Sequence, residues 1–145
     1  MGGGTERRGR VDMGASRPPE PTASVRDSRE TLDRAERALA RGRLRDGIEV
    51  LERYLSAGSD SAAVRTVLGL TYARTRRVER AIHHLERAVG LEPTAFEPRL
   101  ALAEIYQRLG LVEDGRLHLK QAMTLATSAH ERSQARRLLR QTGPG

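Results

Sequence analysis

Beyond residue 27 the chain is similar to itself at an offset of 34 residues. Leu51, Leu85 and Leu119 fall in register, as do Ala35, Gly69 and Ala103. The same offset aligns Ala38 with Tyr72 and Tyr106, Gly47 with Ala81 and Gly115, Leu44 with Val78 and Val112, and Tyr54 with Ala88 and Ala122. Large apolar positions map onto large ones, and most small positions onto small ones. A unit repeated at this length cannot bury its apolar face alone, so copies must stack and share a core. Three copies fit, over about residues 28–61, 62–95 and 96–129.

Within each copy the apolar spacing is helical. In the middle copy Val64, Val67, Leu68 and Thr71-Tyr72 form one face, and Val78, Ala81-Ile82, Leu85 and Ala88-Val89 form another. Gly69 and Ala81 are small enough to let two antiparallel helices approach closely, with Tyr72 filling the space beside them. Gly42 and Gly110 stand where the first helix of their copies must stop. Arg76 takes that place in the middle copy, which predicts a less clearly marked turn there. After the third copy, Ser128-Ala129-His130-Glu131 has the form of a capping box. It opens a seventh helix over about 129–141, with Ala135, Leu138 and Leu139 as its apolar face and Arg132, Arg136 and Arg140 as a solvated stripe. That helix is expected to cover the open end of the third copy. Residues 1–24, rich in Gly, Arg and Pro and without apolar periodicity, are expected to form a disordered arm. The tail 142–145 is expected to fray.

The middle copy resembles the tetratricopeptide repeat. Leu68-Gly69-x-x-Tyr72 matches that family's first-helix motif, Ala81-x-x-x-Leu85-x-x-Ala88 its second, and Pro93 its closing proline. Arg65 stands where the family often has Trp. The third copy keeps Leu102-Ala103-x-x-Tyr106 and Leu119-x-x-Ala122; the first diverges most, with Arg34 for the Leu, Ala38 for the Tyr and Tyr54 for the last Ala. The resemblance implies an all-α fold, a right-handed α-solenoid of three antiparallel helix pairs plus a C-terminal capping helix, as one domain over about 25–141.

Composition removes most chemical functions. There is no Cys and no Trp, one Phe and three Tyr among 145 residues, so thiolate chemistry, Cys-ligated metals and aromatic stacking platforms are excluded. No phosphate-binding Gly loop, dinucleotide fingerprint or nucleophile elbow occurs. His84 and His118, one period apart, are expected on the outer face without further metal ligands, and His83 and His130 are read as exposed too. The chain is therefore expected to be no enzyme and to carry no cofactor or metal. The net charge of +7 comes from 26 basic residues, of which only Lys120 is not Arg. The excess gathers at Arg74, Arg76, Arg77 and Arg80 and in the last helix. A basic nucleic-acid-associated protein binding through these arginines is the alternative reading. Without aromatics or a base-reading motif it ranks below protein binding. No apolar run suits a signal peptide or membrane span, so a cytoplasmic location is expected.

In the resembled family the first helix of each pair lines a concave groove that holds a partner peptide or helix. Carried over by position, the groove would comprise Arg29, Leu32, Glu36 and Leu39 from copy one. Copy two would add Ala63, Thr66, Leu70, Ala73 and Arg74, and copy three Glu97, Leu100, Glu104, Gln107 and Arg108. The family's co-chaperone members grip acidic C-terminal tails with a clamp of Lys, Asn and Arg. The corresponding sites here are Leu32, Glu36, Val67, Glu97 and Ala101, which implies that chaperone tails are not the partner. Self-association through an exposed repeat face is a third reading.

Overall fold

A computed structural model describes residues 23–143, with side chains from residue 26 onward. Seven α-helices follow one another: α1 (Ala23–Ala40), α2 (Leu44–Ser56), α3 (Ala62–Arg74), α4 (Val78–Leu91), α5 (Phe96–Arg108), α6 (Val112–Leu125) and α7 (Ala129–Gln141). The described residues contain no strand. Helices pair as α1 with α2, α3 with α4 and α5 with α6, and each pair packs on the next, with α7 against α5 and α6. This is the expected all-α solenoid of three helix pairs and a closing helix. The proposed arm over 1–24 lies outside the described residues except for Ala23 and Ser24, which open α1. Of the proposed tail, only Thr142 and Gly143 are described.

The close approach within each pair has one chemical basis. Every crossing sets one Gly against one Ala one helix away: Ala35 with Gly47, Gly69 with Ala81, Ala103 with Gly115. A Cβ built on each Gly would lie 3.5, 3.2 and 3.2 Å from the Ala carbonyl oxygen opposite. No larger pair could let the backbones meet this closely. Leu51, Leu85 and Leu119, equivalent by the period, are all buried beside these crossings.

All three turns inside the pairs are the same. Gly42, Arg76 and Gly110 have φ of 75°, 63° and 76°. In each, the next residue's N–H donates five residues back: Arg43 to Ala38, Arg77 to Tyr72 and Leu111 to Tyr106, each at 2.9 Å. The turn at Arg76 is thus as sharply made as the others, because the backbone bonds that close it do not depend on the side chain. Arg76 bears the left-handed strain that glycine avoids. Arg76→Gly should raise stability by about 1 kcal/mol, a midpoint rise of about 4 °C in thermal melting.

The seventh helix departs from the pattern of the complete pairs. Two periods on from Leu68, Gly69 and Tyr72, and one period on from Leu102, Ala103 and Tyr106, stand Arg136, Arg137 and Arg140. These are the positions that pack on a second helix in the complete pairs; in α7 all three are exposed arginines. A fourth second helix would have to bury three guanidinium groups there, at prohibitive cost. Ser128 caps α7 as expected, with its hydroxyl accepting from the Glu131 N–H and the Glu131 carboxylate from the Ser128 N–H. Ala135 and Leu138 are buried, but Leu139 is 45% exposed, contrary to its expected place on the buried face. Its equivalents Thr71 and Ile105 are buried where a further helix follows, and no helix follows α7 among the described residues.

Candidate interaction groove

The first helices of the pairs, together with α7, line three clefts that share residues. The first, about 470 Å³, is lined by Leu39, Val67, Leu70, Thr71, Ala73, Arg74, Ala101, Glu104, Ile105 and Arg108. The second, about 410 Å³, shares Leu70, Ala101 and Glu104 with it and adds Phe96, Glu97, Leu100, His130, Glu131 and Gln134. The third, about 370 Å³, shares Val67 with the first and Phe96, Glu97 and Glu131 with the second. It adds Leu32, Glu36, Ala62, Ala63, Thr66, Glu92, Ala95 and Pro98. Shared walls make the three clefts one continuous depression across α1, α3, α5 and α7.

Twelve of the fourteen residues assigned to the groove by position line these clefts. Arg29 and Gln107 do not. Gln107 instead lies over Gly115, where its Cγ would be 2.8 Å from an added Cβ, and its amide nitrogen is buried without a hydrogen-bond partner. The glycine opposite leaves room that a long side chain fills, drawing Gln107 toward α6. Leu39 makes the equivalent contact over Gly47 yet still reaches the groove. Leu32, Leu70 and Leu100 are half-buried and also pack on the core, so each belongs to both. Position-matching missed α7. His130, Glu131 and Gln134 fall one period after Phe96, Glu97 and Leu100, so the same offset could have found them.

Charge along the groove is uneven. At one end Arg108 pairs with Glu104 at 2.6 Å, beside exposed Arg74. At the other, Glu36, Glu92, Glu97 and Glu131 line the third cleft, and no Arg, Lys or His does. The Glu131 carboxyl sits below its ordinary range because the Thr127 and Ser128 N–H groups donate to it.

A second polar cluster spans the junctions between repeats. The Tyr72 hydroxyl donates to Glu52 at 2.6 Å, and its ring stacks on His84 with centroids 5.6 Å apart. Tyr106 repeats this with Glu86 at 2.8 Å and with His118 at 5.4 Å. The expected exposed His84 and His118 are therefore corrected: His84 is buried and His118 half-buried, each flat against a tyrosine of its own repeat. Arg65, at the position where the family often has Trp, donates to His84 Nδ1 at 3.0 Å and to Asp60 through Nε at 2.8 Å. Its equivalent Arg99 turns to Gln121 at 2.6 Å, and His118 Nδ1 is left buried without a hydrogen-bond partner. Burial, helped by Glu86, pushes the Tyr106 hydroxyl up to about 12. Burial also raises Tyr72 and lowers both histidines. None of these residues lines the groove.

Comparison with known proteins agrees with this geometry. A family model described as tetratricopeptide repeat matches residues 32–98 and 66–130, two matches offset by one period. The chain belongs to the tetratricopeptide repeat family. As such it is a protein–protein interaction module. Among solved structures, this tetratricopeptide array is similar to the second such domain of human RPAP3, in complex with the HSP70 peptide SGPTIEEVD. The TM-score is 0.68 at 14% identity, covering 81% of this chain and 98% of that one. A crystal structure of MamA superposes with a TM-score of 0.64 at 17% identity, over 77% of this chain and 74% of that one. MamA from AMB-1 gives 0.63 at 26% identity, over 78% and 62%. No curated protein matches the chain in sequence. No helix among the described residues is long and apolar enough to cross a membrane.

Proposed function

We propose that the chain is a non-catalytic adaptor that binds a segment of a partner protein in the groove across α1, α3, α5 and α7. The observation that carries this reading is the continuity of the three clefts along one helix set, with Leu32, Leu70 and Leu100 half-exposed on their floor. A groove with apolar anchors and a polar rim suits an amphipathic segment. The RPAP3 domain is in complex with the HSP70 peptide SGPTIEEVD, which carries three acidic residues. An acidic peptide of that kind would meet Glu36, Glu92, Glu97 and Glu131 here, in a cleft with no Arg, Lys or His to hold it.

The basic foci have structural employment that weakens the nucleic-acid alternative. Arg77 and Arg80 lie over the Tyr72 ring, 5.9 and 5.7 Å from its centroid. Arg136 and Arg140 lie on the exposed face of α7. The test uses a peptide selected from a displayed library on the full chain. Leu70→Glu with Leu100→Glu should weaken it about 30-fold or more, while Arg136→Glu with Arg140→Glu should change affinity about threefold or less. Circular dichroism must first show that both variants fold. A folded groove variant that binds normally, beside an arginine variant that does not, would overturn the groove reading.

A further inference from the structure

We infer that the groove takes a cationic segment: arginine or lysine side chains seated at the α1–α3–α5 end, followed by a large apolar residue over Leu70 and Leu100. This rests on the groove reading and names the chemistry of its occupant. The argument begins from an imbalance. The chain has 26 basic residues against 19 acidic ones, yet the third cleft is lined by four glutamates and no base. Among the described residues Glu36, Glu92 and Glu97 have no ion-pair partner, as is also true of Glu30, Asp33, Asp46 and Glu79, but only in this cleft do such acids gather in one concavity. Ordinary helix electrostatics explain only half of the cluster. Glu97 and Glu131 lie in the first turns of α5 and α7, where the helix dipole favours an anion. Glu36 lies one turn from the C-terminal end of α1, and Glu92 is the C-cap of α4, where the dipole opposes one. Unneutralised acids in a concavity walled by Leu32, Val67 and Phe96 focus a negative potential onto whatever enters. A cation bound there regains the pairing that the fold withholds, and apolar contact further along the groove fixes its direction.

Two fluorescently labelled peptides test this, Arg-Arg-Ala-Leu-Ala-Ala-Leu-Ala and its Glu-Glu counterpart, by anisotropy on the full chain. The Arg probe should bind at least about tenfold tighter, with the preference shrinking as salt screens it. Glu36→Arg with Glu97→Arg, both exposed positions, should reverse the preference. Equal binding of the probes, absence of binding by the Arg probe, or a preference untouched by the reversal would overturn the inference. Arg7→Glu with Arg8→Glu and Arg10→Glu should leave probe affinity unchanged. A tenfold gain would mean that the chain's own arginines already fill the site, and would overturn its assignment to a partner. Leu70→Glu with Leu100→Glu separates the two claims. If the library-selected peptide needs these leucines while the probes do not discriminate, the groove stands and its cation preference falls.

Discussion

Gly69→Leu should lower the stability of the whole array by about 3 kcal/mol or more, at the top of the range for overpacked cores. A Cβ at Gly69 would sit 2.7 Å from Leu85 Cγ, 3.0 Å from Leu85 Cδ2 and 3.2 Å from the Ala81 carbonyl oxygen. Real Cβ atoms do not tolerate the first of these distances, so something must move. Leu85 is fully buried, and the carbonyl is part of the α4 backbone. The remaining response is to separate α3 from α4. Because each repeat is stable only through its neighbours, separating the middle pair loosens the packing on both sides. Gly90→Leu is the control. It is exposed, with nothing within 4 Å of an added Cβ, and replacing a helical glycine should be neutral or stabilising. Thermal melting followed by circular dichroism should show a midpoint about 10 °C lower for the first variant only. An unchanged midpoint would mean that Gly69 is not at a close helix contact, and the repeat phase would be wrong.

That phase was legible because it rests on backbone contact. Where two helices touch at Ala35–Gly47, Gly69–Ala81 and Ala103–Gly115, only the smallest residues fit, so the chain displays the contact directly. Leu51, Leu85 and Leu119 are legible for the related reason that burial demands bulk at a repeating place. The turn at Arg76 was harder to read. Three backbone hydrogen-bond patterns are identical there, but only two of them carry the glycine that marks them. The junction clusters were hidden more deeply. His84, Glu52 and Arg65 are each ordinary on a helix surface and Tyr72 is legible only as core, and their arrival from α2, α3 and α4 at one place makes them a network. A trace existed all the same: Tyr106, His118, Glu86 and Arg99 repeat all four at the same offset. In the groove, position-matching found the walls contributed by α1, α3 and α5. Arg29 and Gln107 lie outside the clefts, Gln107 because packing over Gly115 outweighs position, and α7 adds a wall where the sequence pattern marks only a cover. The charge imbalance was invisible, because glutamates distant in sequence meet only across the concave face.

Acidification through the histidine range should destabilise the fold. Burial is the largest influence on both His84 and His118, and it opposes the charged imidazolium, lowering both below the ordinary 6.5. At His84 the geometry gives the same sign. Arg65 carries only donor protons, so His84 Nδ1 must accept, leaving the hydrogen on Nε2, which lies 3.7 Å from Glu52. A second proton would have to sit on Nδ1, facing the guanidinium. Glu52 favours the charged ring, while Arg65, His83 and Arg80 add to the desolvation against it. At His118 Arg99 acts against protonation, and Glu86 and Asp114 act for it without prevailing. Since both folded values are depressed, the unfolded chain binds protons first as the pH falls. Stability is therefore complete above about pH 6.5 and is lost progressively below it, until the folded rings also titrate. The two sites act in the same direction. The lowered Asp60 and Glu131 carboxyls have ordinary values of 3.8 and 4.5, and the raised tyrosines have an ordinary value of 10.0, so none of these enters the window. Urea midpoints should fall between about pH 7.5 and 5.5, and His84→Gln with His118→Gln should flatten that dependence even if its midpoint is lower throughout. A wild-type midpoint that is level across the window, or an equal slope in the double variant, would show that these rings are not held neutral by the fold.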